Sequence, residues 1–206
     1  FNRSNFQQEI FELYHDLITF GTAAMFIQED NEDILKFSTR HINEIFIAED
    51  DKGKIDTVYR KFKLSVRAAI QQFGNKISTD IQAQEKKDPY NEIEILHVVY
   101  PRSDFDPNKK DTDNMPFESV YIEMKNGNEL SVSGFQEFPF VVPRYLKASH
   151  EIYGRSPAMT ALPDVKMLNE MSKTTIKAAQ KQVDPPLLVP DDGFLLPVRT
   201  VPGGLN

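Results

Sequence analysis

The sequence predicts an α+β fold, and three observations carry that prediction. The 13 prolines are spread unevenly, with none in residues 1–88, six in 89–143 and seven in 157–202. Because proline removes a backbone donor and breaks helices, the first part can hold long regular elements, whereas the last must alternate short extended pieces with one clean helix. Both periodicities are present, since apolar residues recur at helical spacing near the start and at two-residue spacing further on. Asn126-Gly127 between two alternating runs is a strong short hairpin signal.

The first helix is signalled by Ser4 with Gln7 three residues later, a capping-box pattern, and by Phe6, Ile10, Leu13, Tyr14, Leu17 and Ile18 on one face; Gly21 is its stop. Residues 24–28 then read as a strand ending at the acidic run Glu29 to Asp33. Residues 44–62 read as a hairpin, with Ile45 and Ile47 alternating with Phe46 and Ala48 and with Gly53 supplying positive φ in the turn. Ser65 caps a short helix, Val66 to Phe73, that stops at Gly74, and a second helical stretch runs from Thr79 to Lys87. Three strands are expected at 93–100, 117–124 and 129–132, with the long polar loop Pro101 to Pro116 between the first two. Pro163 and Asp164 suit the first turn of a helix that runs without Pro or Gly from Val165 to Val183, where Asp184-Pro-Pro186 ends it. Leu187 to Phe194 reads as a strand and a turn.

Composition narrows the function. The 24 Lys and Arg against 31 Asp and Glu give a formal charge of −7, and apolar residues make up 40% of the chain. Such a chain is globular in type, and its acidity argues against a generic nucleic-acid binder. No stretch approaches the roughly 18 apolar residues of a membrane span. The absence of Cys excludes disulfide scaffolds, thiolate metal sites and cysteine nucleophiles. The chain opens at Phe1 rather than Met and stops in a turn-like stretch, so it is expected to be a piece of a longer protein.

Motifs for chemistry are weak. Asp104, Asp106 and Asn108 open like a calcium loop, but Lys109 stands where that loop needs Gly and Met115 where it needs Glu. The loop Asp104 to Asp113 is therefore expected to be solvated. His15, His41, His97 and His150 are scattered without metal-ligand spacing, and no nucleophile-elbow or phosphate-cradle motif occurs. No catalytic residue, metal site or cofactor is expected.

The last helix is the most informative element. At about 100° per residue, Lys166, Glu170, Lys173, Lys177, Gln180 and Lys181 share about 100° of arc, opposite Leu168, Met171, Thr175, Ala178 and Ala179. One reading is a surface helix with a solvated lysine face. The other is a helix packed beside copies of itself, since Ala178 and Ala179 permit close approach. The lysines then meet neighbouring acids or a polyanion.

Four collinear motifs carry a resemblance. They are Phe138-Pro-Phe-Val-Val-Pro-Arg144, Glu151-Ile-Tyr-Gly-Arg-Ser-Pro157, Ala161-Leu-Pro-Asp-Val-Lys-Met-Leu-Asn-Glu170 and Asp184-Pro-Pro-Leu-Leu-Val-Pro-Asp-Asp-Gly193. With His97-Val-Val-Tyr-Pro-Arg102 upstream, residues 97–193 resemble the head-to-tail connector, or portal, family of short-tailed, T7-like bacteriophages and prophages; the first 90 residues are similar in layout only.

The resemblance implies a structural protein with no enzymatic activity. Residues 1–155 would be a mixed helix and sheet wing, 156–184 a hinge and a long projecting first stem helix, and 185–206 the start of a clip. It further implies a homo-oligomeric ring, dodecameric in the whole protein, at the capsid vertex of the virion and assembled in the host cytoplasm. Implied partners are double-stranded DNA passing without sequence specificity, the terminase large subunit, tail adaptors, scaffold and capsid proteins, with no membrane. Lys166, Lys173, Lys177 and Lys181 are the candidates to face the channel or a neighbouring subunit, Gly154 and Pro157 the hinge, and Pro185, Pro186, Asp191, Asp192 and Gly193 the clip surface facing terminase and adaptors. Because the resemblance reaches no second stem helix, channel loop or crown, the chain by itself is expected to be capable of staying monomeric. Two alternatives stand beside this reading: a monomeric interaction module, and a metal-dependent nuclease using Asp104 to Asp113.

Overall fold

A computed structural model describes residues 4–30, 34–106, 109 and 111–183. They fall into two compact units, lying within Phe1–Met159 and Thr160–Asn206.

The first unit begins with helix α1 (Phe6–Phe20). Its N-cap is Asn5 and not Ser4, and no side chain makes the capping bond, so the expected capping box does not form. The Asn5 amide is engaged elsewhere: its Nδ2 donates to Phe37 O at 2.8 Å and its Oδ1 accepts from Phe37 N at 3.0 Å. These are the two bonds a neighbouring strand would make, and they occupy an exposed sheet edge that would otherwise invite pairing. Glu9 extends the cover, its carboxylate accepting from Thr39 N and its carbonyl from Thr39 Oγ1. Leu13 is buried with Ala23, Met25 and Phe37, and Phe6, Ile10 and Leu17 pack around them.

That edge belongs to a strand the sequence reading missed. β1 (Ala24–Asp30) runs through Glu29 and Asp30 instead of stopping at Gln28, and β2 (Ile34–Arg40) pairs back along it from Asp30↔Ile34 to Ala24↔Arg40. Glu29 and Asp30 of the acidic run thus belong to the strand itself. A short strand later in the chain, Phe140–Val141, pairs on the other side of β1 to complete a three-stranded antiparallel sheet.

The second sheet is a five-stranded antiparallel meander of β3 (Ile45–Glu49), β4 (Ile55–Ser65), β5 (Glu92–Pro101), β6 (Phe117–Glu123) and β7 (Glu129–Phe135), paired in chain order. In chain order the short strand Phe140–Val141 is β8. The expected hairpin is present, with Gly53 at φ +76° and with Asp50 Oδ1 accepting from Lys52 N and Lys54 N. Gly127, at φ +71°, turns β6 into β7.

Two helices lie between β4 and β5. α2 (Val66–Phe73) starts at Ser65, whose hydroxyl accepts from Ala68 N at 3.3 Å, and stops at Gly74; α3 spans Thr79–Glu85. Val66 and Ala69 of α2, Ile81 of α3 and Ile77 between them bury against Phe62, Ile93, Ile95 and Leu130 of the large sheet. A second cluster joins the sheets, with Ala24, Phe26 and Phe140 meeting Ile45, Ile47, Val58 and Val99.

Two buried polar groups tie this core. Glu123 is fully buried, accepting from Ser78 N and Ser78 Oγ at the start of α3 and from Asn126 Nδ2 in the β6–β7 turn. One carboxylate thus holds a helix start and a hairpin together. His97, 2% exposed, shares a hydrogen bond of 2.9 Å with Ser119 Oγ and stacks flat on Tyr121 with ring centroids 4.0 Å apart. Its pKa falls from 6.5 to about 3 because burial disfavours the imidazolium, with Arg60 and Arg40 adding repulsion. Among the described residues no helix is long and apolar enough to cross a membrane.

Candidate functional site

The last described helix, α4, spans Pro157–Val183, 27 residues or about 40 Å at roughly 1.5 Å per residue. It begins earlier than Pro163 and Asp164 led the sequence reading to expect. Ser156 is the N-cap, its Oγ accepting from Met159 N at 2.9 Å, and Pro157 holds the first helical position, where its missing N–H is harmless. Pro163 is consequently inside the helix.

The chain reaches α4 through a strap, residues 142–156, laid across the first unit. Ala23 N donates to Pro143 O at 3.2 Å and Tyr145 N to Gly21 O at 2.9 Å, while Thr22 bridges Arg144. Arg144 is held at both ends of its guanidinium, pairing with Glu49 and donating to Gly53 O at 3.0 Å and Ile152 O at 3.1 Å. Lys147 joins the same Glu49 oxygen at 2.6 Å. The Tyr153 hydroxyl accepts from Ile47 N on edge strand β3. A basic and aromatic strap is thereby fastened to the β3–β4 hairpin.

Gly154 sits where the strap crosses the end of α1. A Cβ there would lie 2.3 Å from Gly21 O, and a Cβ on Gly21 would lie 2.5 Å from Gly154 O. Gly21 also needs φ +80° to end α1, its N–H donating to Leu17 O. Gly154 N donates to the buried Thr22 Oγ1 at 2.7 Å. Gly154 is thus required for close backbone approach. Ser156 completes the junction by donating its hydroxyl to Thr19 O at 2.8 Å.

The lysine side chains Lys166, Lys173, Lys177 and Lys181 all belong to the exposed run Ala158 to Val183. Lys173 pairs with Glu170 at 3.0 Å, an exposed i,i+3 contact worth a few tenths of a kcal/mol. Among the described residues no ion pair engages Lys166, Lys177 or Lys181. The opposite side presents Leu168 and Met171, each 58% exposed. Thr174 and Thr175 bond back to Glu170 O and Met171 O. This helix can offer a row of cations to one surface and a small apolar stripe to another.

The remaining sequence candidates divide. Pro185, Pro186, Asp191, Asp192 and Gly193 lie outside the described residues. In the loop after β5, Arg102 pairs with Glu118 at 3.3 Å and holds its carboxyl below the ordinary range. The turn Thr112–Asn114 rests on β7 so closely that a Cβ at Gly134 would be 2.4 Å from Thr112 O. No group of three or more metal-ligating side chains occurs among the described residues. Thr22, Ser156, Arg144 and Glu49 are the functional candidates the sequence reading missed. Ser156-Pro157, an N-cap residue followed by proline, was the signal that could have found the first of the junction's contacts.

A sheet body followed by a long helix exposed along its apolar and basic sides has the make-up of a protein that packs against other chains. The chain belongs to the family of bacteriophage head to tail connecting proteins, whose model matches residues 1–206. The kinship therefore covers the whole chain, including the first 90 residues that resembled the family only in layout. It is similar to the probable portal protein of Bordetella phage BPP-1, 33% identical over 210 residues, and to the portal protein of Salmonella phage epsilon15, 33% identical over 211 residues. Both matches cover 100% of this chain and 38% of the relative, so the chain spans well under half the length of either.

Proposed function

We propose that this chain is the wing and first stem helix of a phage portal subunit, a structural and non-enzymatic part of the head-to-tail connector. The observation that carries the proposal is the match of the entire chain, at 33% identity, to two portal proteins. On this reading residues 1–155 form the wing, 156–184 the junction and stem helix, and 185–206 the start of the clip facing the terminase large subunit and tail adaptors. The whole protein forms a ring, dodecameric by family resemblance, at the capsid vertex, assembled in the host cytoplasm with scaffold and capsid proteins around it. Double-stranded DNA passes through without sequence readout.

The exposed helix supports this reading through its two sides. The stripe around Leu168, Thr175 and Ala179 is narrow enough for neighbouring copies of α4 to approach closely. Lys166, Lys173, Lys177 and Lys181 then face the channel or an adjacent subunit. Each cation adds screened, sequence-independent attraction to phosphate that weakens with salt. An acidic protein with one basic row, net −7 overall, attracts DNA without holding it tightly, as a conduit requires. Gly154 and Pro157 serve to orient the helix.

The test is a phage carrying Lys166→Ala, Lys173→Ala, Lys177→Ala and Lys181→Ala together in the portal gene. The proposal expects heads of normal number with reduced DNA per head or slowed ejection. Wild-type packaging and ejection would remove the lysine row from the account.

A further inference from the structure

A polar row interrupts the inner face of the large sheet. Arg60 on β4 lies opposite His97 on β5, and His97 opposite Tyr121 on β6, so the three side chains stand side by side on one face. On one side of the row Val58 and Val99 belong to the cluster that joins the sheets. On the other, Phe62 and Ile95 belong to the cluster under α2 and α3. Arg60 is tolerated there because one Glu44 oxygen takes its Nε and Nη2, both at 2.9 Å, and its guanidinium lies 3.9 Å from the Phe62 ring centroid. Its Nη1 has no acceptor among the described residues.

A second arginine faces this row from the small sheet, within the same unit. Arg40 ends β2 opposite Ala24, two residues from Ser38, which lies opposite Phe26; Ala24 and Phe26 both point into the cluster between the sheets. Directly opposed strand partners share a face, so Arg40 is directed at the large sheet as well. The carboxylates whose charge reaches Arg40 are engaged elsewhere, Glu44 by Arg60 and Glu9 by Thr39 N. Among the described residues no side-chain hydrogen bond or ion pair engages Arg40, and no hydrogen bond engages the Tyr121 hydroxyl. Burial and the Arg60 charge together hold the Arg40 pKa below its ordinary value. Two guanidinium groups this placed repel each other, and a bound anion would offset that cost. Arg40 and Tyr121 are both partly exposed, so a small solute reaches them.

We propose that the seam between the two sheets binds a phosphate-type oxyanion, with Arg40 as its main donor and Arg60 Nη1 and the Tyr121 hydroxyl beside it. Donors from three strands in two sheets suit a tetrahedral anion, whose oxygens point in several directions. A planar carboxylate is served edge-on by a single guanidinium fork. The ligand is a free phosphate ion or the terminal phosphate of a monoester.

The test titrates the 206-residue chain at neutral pH and follows the arginine side-chain Nε–H signals by nuclear magnetic resonance, with chloride holding ionic strength constant. Inorganic phosphate should shift the Arg40 and Arg60 signals saturably, and acetate should bind about tenfold more weakly or worse. Arg40→Met, which keeps an unbranched stem and removes the charge, should weaken phosphate binding by about tenfold or more. In phosphate-free buffer the same variant should melt no lower than wild type, since the charge it removes has no partner there. Methyl phosphate separates the two sources: affinity equal to that of phosphate assigns the seam to the end of a monoester, and a large loss assigns it to the free ion. No saturable shift with phosphate overturns the site, as does unchanged affinity in Arg40→Met. Acetate binding as tightly as phosphate overturns the tetrahedral assignment. A lower melting point of Arg40→Met without phosphate makes Arg40 a packing residue and overturns the uncompensated charge on which the proposal stands.

Discussion

Lowering the pH from 7.5 to 5 should destabilise the first unit through His97. His97 is 2% exposed, stacked on Tyr121 and hydrogen-bonded to Ser119, and it has two arginines nearby, so its folded pKa is about 3 against 6.5 in the unfolded chain. A base with a depressed folded pKa contributes its full stability above the unfolded value and loses it as pH falls from there toward the folded value, because the unfolded state then binds the extra proton. With those two values, the loss at pH 5 relative to pH 7.5 is about 2 kcal/mol, a large share of the stability of a domain this size. Glu118, held low by Arg102, loses its stabilisation only below its ordinary 4.5. The assay is urea unfolding by far-ultraviolet circular dichroism at several pH values, on wild type and on His97→Gln, which cannot titrate. The wild type should lose about 2 kcal/mol across the window while the variant, weaker throughout, stays nearly flat. A flat wild-type profile, or a variant as steep as wild type, would refute the argument.

Three further outcomes follow from close contacts. Gly154→Ala forces a methyl to 2.3 Å from the Gly21 carbonyl and should lower the melting temperature by the equivalent of about 1–3 kcal/mol. Glu123→Gln leaves the Ser78 N–H, Ser78 Oγ–H and Asn126 amide sharing one weaker acceptor at a fully buried position, and should destabilise by about 1–3 kcal/mol in thermal unfolding. Asn5→Ala removes both edge bonds to Phe37 and should raise amide exchange at Phe37 while leaving the large sheet's amides at wild-type rates, a local effect of about 1–2 kcal/mol.

Much of the fold was legible because its signals are local. Ser65 and Gly74 bracket α2, Gly53 and Gly127 make their turns, and the two-residue alternation of β3 through β7 marks a sheet with one buried face. Two misreadings share a physical cause. β2 was hidden because Ile34 to Arg40 mixes polar and apolar residues, as an edge strand covered by Asn5 and Glu9 can. The start of α4 was misplaced because Pro163 resembles a first-turn proline, although the local pair Ser156-Pro157 marks the earlier start that the Ser156–Met159 capping bond makes. The lysine row could be read from spacing. The junction that orients it could not, since Gly21, Thr22, Gly154 and Ser156 meet through backbone approach that leaves no periodic trace.

Negative-stain electron microscopy of the full phage gene product carrying this chain tests most directly the proposal that it forms part of a portal ring. Closed rings with a central channel are the predicted result. Monodisperse single particles at micromolar concentration would contradict it, leaving a family member that does not assemble as a portal.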